Sequence, residues 1–405
     1  MRLRQMRILF LSTIGRIGGA EASLIDIVSV LRTNRPDWSL SAIVGSSGPL
    51  VQRLLSAGVT VDVLTIPPSM AELGDHGLGD TVSGSGLGAR MLRALPEMVR
   101  YSLALRRKIR KCGPELVHSN GFKMHALSIP AALGFCPVVW HLHDFVSGRP
   151  LMSRLLKRFA NQVSGCIANS ESVASDANQS LKLRRPPARI YNAVNLDVFS
   201  PCGPVLDLDV LSGLPPTPAG TIRIGLVGTF ARWKGHRIFF EALARLHASS
   251  PVRGYVIGGP MYQTVGSQYS RDELQAMATN LGIGDRVGFT GYVDAPAAAM
   301  RALDIVVHAS TKPEPFGLSV VEAMACGLPV IAADAGGVAE IIRTGGAIGV
   351  PQGSPDALAS SLERLIDNSQ RRRDLSKRAR EAAEGLCSPA RLGREITAYY
   401  EAVCA

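Results

Sequence analysis

Short apolar runs recur along this chain, each ending in polar or glycine-rich residues, and between them lie longer stretches whose apolar positions repeat every three to four residues. Runs of four to eight apolar residues bounded by turn formers read as buried strands, and the longer stretches read as amphipathic helices. In the first half, strands are expected at Ile8–Thr13, Ala42–Val44, Val61–Leu64, Leu116–His118, Val138–His141 and Gly165–Ala168. The turn Gly15-Arg-Ile-Gly18-Gly19 leads into a helix over Ala20–Arg32. A second series repeats the pattern at Ile222–Thr229, Tyr255–Gly259, Val287–Gly291, Ile305–His308, Val330–Ala333 and Ala347–Val350. Within it, Gly317 to Cys326 reads as a helix closed by Gly327 and Pro329, and further helices follow Pro355, Arg371 and Ser388.

Strand and helix in strict alternation mean α/β architecture, with mostly parallel sheets covered by helices on both faces. Two doubly wound, Rossmann-like domains facing an interdomain cleft are expected, with ligands at the carboxyl ends of the strands. A length of 405 residues suits two or three units. The first domain is assigned to 1–195, a linker to 196–220, the second domain to 221–387 and a last helix to 388–405. The linker assignment rests on five prolines and weak periodicity between Asn195 and Gly220. Pro67 to Gly88, rich in Gly, Ser and Asp, reads as a mobile loop.

No apolar run reaches the 18 or so residues of a membrane span, because Ala126–Trp140 is broken by Pro130 and Pro137. The start Met1-Arg-Leu-Arg-Gln does not lead into a secretory signal, so a cytoplasmic location is expected. Seven cysteines are scattered without Cys-x-x-Cys or zinc spacing, which reads as reduced thiols and no metal centre. Charge is uneven: residues 1–200 hold 24 Lys and Arg against 13 Asp and Glu, and residues 201–405 hold 20 against 20. The excess gathers at Arg90, Arg93, Arg100, Arg106, Arg107, Lys108, Arg110 and Lys111, joined by Arg154, Lys157 and Arg158 and interleaved with apolar residues. Such a pattern marks either a helix docking on the anionic inner face of the plasma membrane or a helix packed on the sheet with a basic solvated side. Nucleic acid is not expected as a partner, since aromatic stacking platforms are missing.

Candidate chemistry concentrates at the strand ends of the second series. Glu314-Pro-Phe316-Gly317-Leu318-Ser319-Val-Val-Glu322 sets two carboxylates around a helix start. The N–H groups near Gly317, Leu318 and Ser319 suit a phosphate, favoured there by the helix dipole. Eight positions span roughly 12 Å, wide for a hydrolytic pair, so the two glutamates fit separate hydroxyls of one long ligand better. The bland alternative makes Glu314 a cap and Glu322 a solvated helix residue. Gly228-Thr229-Phe-Ala-Arg232-Trp-Lys234-Gly235 places two cations on a loop able to reach a diphosphate, without the Walker spacing. Gly18-Gly19-Ala-Glu21 lets backbone amides approach an anion, although any such turn carries glycine. His141-Leu-His143-Asp144 suggests metal only if both rings converge; alternation along a strand argues otherwise, leaving His143 as the functional histidine. Asp207-Leu-Asp209 imitates a metal motif but falls in the expected linker.

Together, the Glu314–Ala333 block, Asp334-Ala-Gly-Gly-Val-Ala-Glu340, Trp-Lys234-Gly235, Val-Ile-Gly258-Gly259-Pro, Gly18-Gly19-Ala-Glu21 and His143-Asp144 resemble the retaining family-4 glycosyltransferases of GT-B fold. The resemblance covers most of the chain. It implies a nucleotide-diphospho-sugar donor, UDP- or GDP-linked, held by the second domain, an acceptor held by the first, no cofactor, and retention without a metal. Carried over, Glu322 would bind the ribose and Glu314 the sugar hydroxyls, with Phe316, Gly317, Leu318 and Ser319 lining the donor and Lys234 on the diphosphate. Gly258, Gly259, Thr290 and Gly291 would flank the nucleotide, His143 would sit near the donor sugar, and Ser388–Cys404 would cross back onto the first domain. Catalysis would rest on Glu314, His143 and Lys234. The basic first half suits a lipid-linked or cell-envelope glycan acceptor. Many relatives carry Arg where this chain has Thr229, so Arg232 is the expected substitute. A nucleotide-sugar epimerase and a catalytically weak sugar-nucleotide sensor are the competing classes.

Overall fold

The computed structural model describes residues 5–71, 84–247, 250–261 and 266–405. The chain divides into two units, Met1–Ala193 with Pro389–Ala405, and Val194–Ser388.

The first unit is built on seven strands: β1 (Arg7–Ser12), β2 (Ser39–Val44), β3 (Thr60–Val63), β4 (Leu116–Asn120), β5 (Val138–Leu142), β6 (Gly165–Ala168) and β7 (Ala188–Arg189). They form one sheet in the order β3-β2-β1-β4-β5-β6-β7, every pair parallel. Side chains alternate along β1, with Leu9 and Leu11 entering one core and Ile8 and Phe10 the other. On the Leu9 side lie Tyr101 and Leu105 of the helix Gly84–Cys112, Met124 of Phe122–Ala132 and Leu156 of Pro150–Phe159. On the Phe10 side lie Leu24, Ile27 and Leu31 of the helix Gly19–Asn34, together with Leu392, Ile396 and Tyr400 of the final helix Pro389–Cys404. That final helix is fixed by Tyr400, whose hydroxyl is 2.6 Å from His118 Nδ1, and by an ion pair of Glu401 with Arg35.

The second unit holds β8 (Ile222–Val227), β9 (Val252–Ile257), β10 (Val287–Gly291), β11 (Ile305–His308), β12 (Val330–Ala333) and β13 (Ile348–Val350). Their order is β10-β9-β8-β11-β12-β13, again all parallel. Both sheets reverse their winding beside the first strand, between β1 and β4 and between β8 and β11. In open α/β sheets ligands bind at such reversals, outside the carboxyl ends of the strands.

Two expectations need correction. The expected loop Pro67–Gly88 contains helix at Pro68–Ala71 and, from Gly84, the start of the helix Gly84–Cys112, while 72–83 lie outside the described residues. The proline-rich stretch expected to be a linker folds onto the second sheet. Its helix Leu208–Ser212 is capped by Asp207 and anchored by the buried Asp209, which accepts from Arg253 Nη1 at 2.7 Å, Tyr255 Oη at 2.6 Å and Thr217 N at 2.8 Å. Both carboxylates of the apparent metal motif are therefore committed to holding structure.

Candidate functional site

The strongest cluster lies at the carboxyl edge of the second sheet. Lys234 ends a single 3-10 turn after β8, and Gly235 follows it at φ +79°. A Cβ on Gly235 would lie 1.8 Å from the Ala309 carbonyl oxygen, so only glycine lets this turn press against the end of β11. The contact carries Lys234 to Glu314, with Nζ 2.6 Å from Oε1. The same oxygen accepts from Ser310 Oγ at 2.7 Å and lies 2.9 Å from His308 Nε2. Burial alone would push the Glu314 carboxyl up, but Lys234 and His308 beside it hold it well below the usual carboxylate range. Glu314 is thus a fixed anion, 6% exposed.

Its backbone is clamped as well, since Glu314 pairs with Gly336 in an isolated parallel bridge and its carbonyl accepts from Gly337 N at 2.8 Å. Beyond the loop, the helix Leu318–Ala325 starts at Gly317 with no side-chain cap. The amides of Leu318 and Ser319 have no intrahelical acceptor, as in the first turn of any helix, and they remain available to an anion. Phe316 is buried in the entry to this helix. Glu322 stands one turn in, half-buried, with no hydrogen-bond partner for its carboxylate among the described residues. Burial pushes that carboxyl up to about 7, with the charge of Lys234 pulling the other way.

The glycine loops after β8, β9 and β10 meet at the same edge. Gly258 N donates to Gly291 O at 3.0 Å, and Phe230 N donates to Gly259 O at 3.2 Å. Gly258 sits at φ +137°, and a Cβ there would fall 2.0 Å from the Gly228 carbonyl oxygen. Thr290 turns its hydroxyl onto the Gly291 carbonyl at 2.9 Å. Arg232 is held elsewhere: it donates to Gly266 O at 2.9 Å and to Glu273 Oε1 at 3.0 Å, and lies 4.3 Å over the Tyr269 ring. The structure therefore joins Lys234 and Glu314 but ties Arg232 into a separate surface network. Thr229 Oγ1 is buried without a partner among the described residues.

In the first unit, Asn120 at the end of β4 links the two other predicted elements. Its Nδ2 donates to the Ala20 carbonyl at 3.2 Å, and its Oδ1 lies 2.6 Å from His143 Nε2. With Oδ1 as acceptor, His143 carries its proton on Nε2, which leaves Nδ1 a buried acceptor with no partner among the described residues. Gly18 N, offered by the sequence to an anion, is given to Glu21 Oε2 at 3.1 Å; Gly19 opens the helix beside it. Asp144 accepts from Phe145 N and Arg149 Nη2. The expectation that His141 and His143 diverge is wrong. Residues two apart share one side of a strand, and the ring centroids are 3.9 Å apart.

His118 packs edge-on against His141 at 5.2 Å, so three imidazoles are in contact along β4 and β5. Burial pushes both His118 and His143 down to about 3. The unfolded chain takes up protons near pH 6.5, whereas these folded rings do not until about 3, so stability falls as pH drops below about 6.5. For His118 alone the loss between pH 7 and 5 is about 2 kcal/mol. We expect the first unit to melt earlier at pH 5 than at pH 7, with His118→Gln flattening the dependence; an unchanged pH profile in that variant would exclude His118 as its source.

His308, Ser310, Gly336 and Gly337 were missed by sequence reasoning. The only signal was the polar end of an otherwise apolar strand at His308 and the doubled glycine after Asp334.

The chain is similar to known proteins along most of its length. Residues 215–382 match the family described as Glycosyl transferases group 1, and residues 49–198 match Glycosyltransferase Family 4. Over 249 residues the chain is 31% identical to D-inositol 3-phosphate glycosyltransferase 1 of Catenulispora acidiphila, a match covering 58% of this chain and 57% of that one. Over 173 residues it is 30% identical to the lipopolysaccharide core biosynthesis glycosyltransferase LpsE of Rhizobium meliloti, covering 42% and 47%. These matches span about half the length of the curated relatives. The structure of Anabaena Alr3699/HepE in complex with UDP superposes with a TM-score of 0.77 at 26% identity, covering 98% of this chain and 100% of that one; the same protein has been solved with UDP-glucose. Two parallel α/β units of this topology, with both family segments in order, lead to one conclusion: the chain belongs to the family-4 glycosyltransferases of GT-B fold.

Proposed function

We propose that this protein is a glycosyltransferase that moves a sugar from a nucleotide-diphospho-sugar to a glycan or lipid-linked acceptor of the cell envelope, with retention and without a resident metal or cofactor. The reading is carried by one observation: a buried Glu314 paired with a half-buried Lys234 lies beside an uncapped helix start at the carboxyl edge of the second sheet. A diphosphate is the group that suits a lysine and free amides together, and a fixed carboxylate accepts from sugar hydroxyls. Glu322 then meets the ribose, with Gly258, Gly259, Thr290 and Gly291 around the base. The complexes of the Anabaena relative favour UDP over GDP as the carrier.

In the proposed step the bond from the anomeric carbon to the leaving phosphate oxygen breaks as the acceptor oxygen bonds to the same face of that carbon. The acceptor proton passes to the departing phosphate. Lys234 and the Leu318 and Ser319 amides neutralise the charge that the diphosphate gains, an effect worth several kcal/mol. His143 is neutral at working pH and serves as a hydrogen-bonding group rather than a proton carrier.

A panel of nucleotide sugars tests the reading. The correct donor at 100 times its dissociation constant is expected to stabilise the protein by about 2.7 kcal/mol, and nucleotide release should then require an acceptor. Nucleotide release without acceptor would favour the epimerase class, and no thermal response to any UDP- or GDP-sugar would overturn the proposal.

A further inference from the structure

In the first unit, the helix Gly84–Cys112 has two apolar sides. Tyr101, Leu105 and Ile109 enter the core beneath it. On the opposite side, Leu95, Val99 and Leu103 are spaced by four residues and stand 53%, 53% and 49% exposed. A helix covering a sheet ordinarily shows polar residues outward, so this second stripe lacks a use within the unit. The helix Pro150–Phe159, on the same side of the sheet beyond the helix Phe122–Ala132, repeats the device with Leu151 and Leu155 exposed around a buried Leu156.

Cations frame both stripes. Arg100, Arg107 and Lys111 face outward on the longer helix, and Arg154, Lys157 and Arg158 on the shorter one. None of these six pairs with a carboxylate among the described residues, although soluble surfaces normally intersperse both signs. Glu97 is the acid of the longer helix, and its carboxylate is taken by the Ser69 hydroxyl. Between the two helices Leu133 is 57% exposed, and the guanidinium groups of Arg106 and Arg110 each lie 4.3 Å over the Phe135 ring. Side chains of Arg90 and Arg93 lie outside what the structure describes.

We infer that this face docks the first unit on an anionic lipid bilayer, the exposed apolar stripes entering the headgroup boundary while the flanking cations meet lipid phosphates. An acidic protein or a nucleic acid would satisfy the charges but leave the ordered apolar stripes without purpose. A bilayer offers both surfaces together. The choice of lipid as partner rests on the proposed envelope acceptor, although binding itself requires no turnover.

The test is co-sedimentation of the full chain with vesicles of phosphatidylcholine containing phosphatidylglycerol, compared with phosphatidylcholine alone. Each near-surface cation contributes about five-fold to partitioning, so Arg107→Gln, Arg154→Gln and Arg158→Gln together should weaken binding roughly 100-fold. Val99→Gln with Leu103→Gln should also weaken it while leaving the melting temperature and the donor-induced shift unchanged, because these side chains already face water. Equal pelleting with neutral vesicles, wild-type pelleting by the glutamine variants, or retention on single-stranded RNA in place of vesicles would overturn the inference. Loss of pelleting with donor binding intact removes only the docking face, whereas pelleting without donor binding removes the enzymatic proposal and leaves the surface standing.

Discussion

Lys234→Ala is expected to lower donor-dependent transfer by about 10²–10³-fold, the usual cost of removing one donor aimed at developing charge. Its amino group is held 2.6 Å from Glu314 Oε1 by the Gly235 turn, so little reorganisation is needed when a diphosphate arrives. The same pair adds a complication that the motif alone does not announce. Glu314 is buried, and without Lys234 its charge rests, among the described residues, on Ser310 and His308. Breaking a buried pair from one side costs about 3–5 kcal/mol, so the single variant should lose stability as well as turnover. Combining Lys234→Met with Glu314→Gln separates the two effects. With both charges gone the buried anion no longer needs a partner, and much of the melting temperature should return while transfer stays low. Recovery of transfer in the double variant would show that Lys234 serves only to neutralise Glu314.

The fold was legible because parallel strands buried on both faces appear as bare apolar runs, and twelve of the thirteen strands among the described residues lie where those runs fall. β7, only Ala188–Arg189, has no run to see. Local composition misled where tertiary partners decide the outcome. Glycine and serine suggested a loop after Pro67, yet helix appears at Pro68–Ala71 and begins again at Gly84. The Glu314–Glu322 block could be found because loop, helix start and both carboxylates are contiguous. Ser310 and His308 share the neighbourhood but reach Glu314 through side-chain geometry at a strand end, and Gly336 arrives by a bridge from beyond β12. Arg232 shows the converse: correct spacing for an anion site, but a guanidinium committed to Glu273 and Tyr269.

Asp209→Ala should be among the most damaging substitutions in the second unit, although it lies in a stretch whose prolines suggest a linker. The Asp209 carboxylate gathers Arg253, Arg223, Tyr255 and Thr217, and the residue is 4% exposed. Burial alone would raise its carboxyl, but hydrogen bonds from Thr217, Tyr255 and Arg253 win and hold it far below the usual range. Removing the carboxylate strands the Arg253 charge and the fully buried Tyr255 hydroxyl, a loss of about 3–5 kcal/mol. In a unit of this size each kcal/mol moves the melting temperature by about 2–4 °C, so a fall of roughly 6–20 °C is expected. Asp207→Ala, two residues away, removes only the helix cap on Asp209 N and Val210 N and should cost about 1 kcal/mol. The pH dependence has a definite sign. Because folding depresses the Asp209 carboxyl, its contribution is complete above the unfolded value of about 3.9 and is lost as pH falls below it, so parent and Asp209→Ala should converge in acid. A variant melting within 2 °C of the parent at pH 7 would mean that the segment is a linker after all, and that the second unit begins at β8.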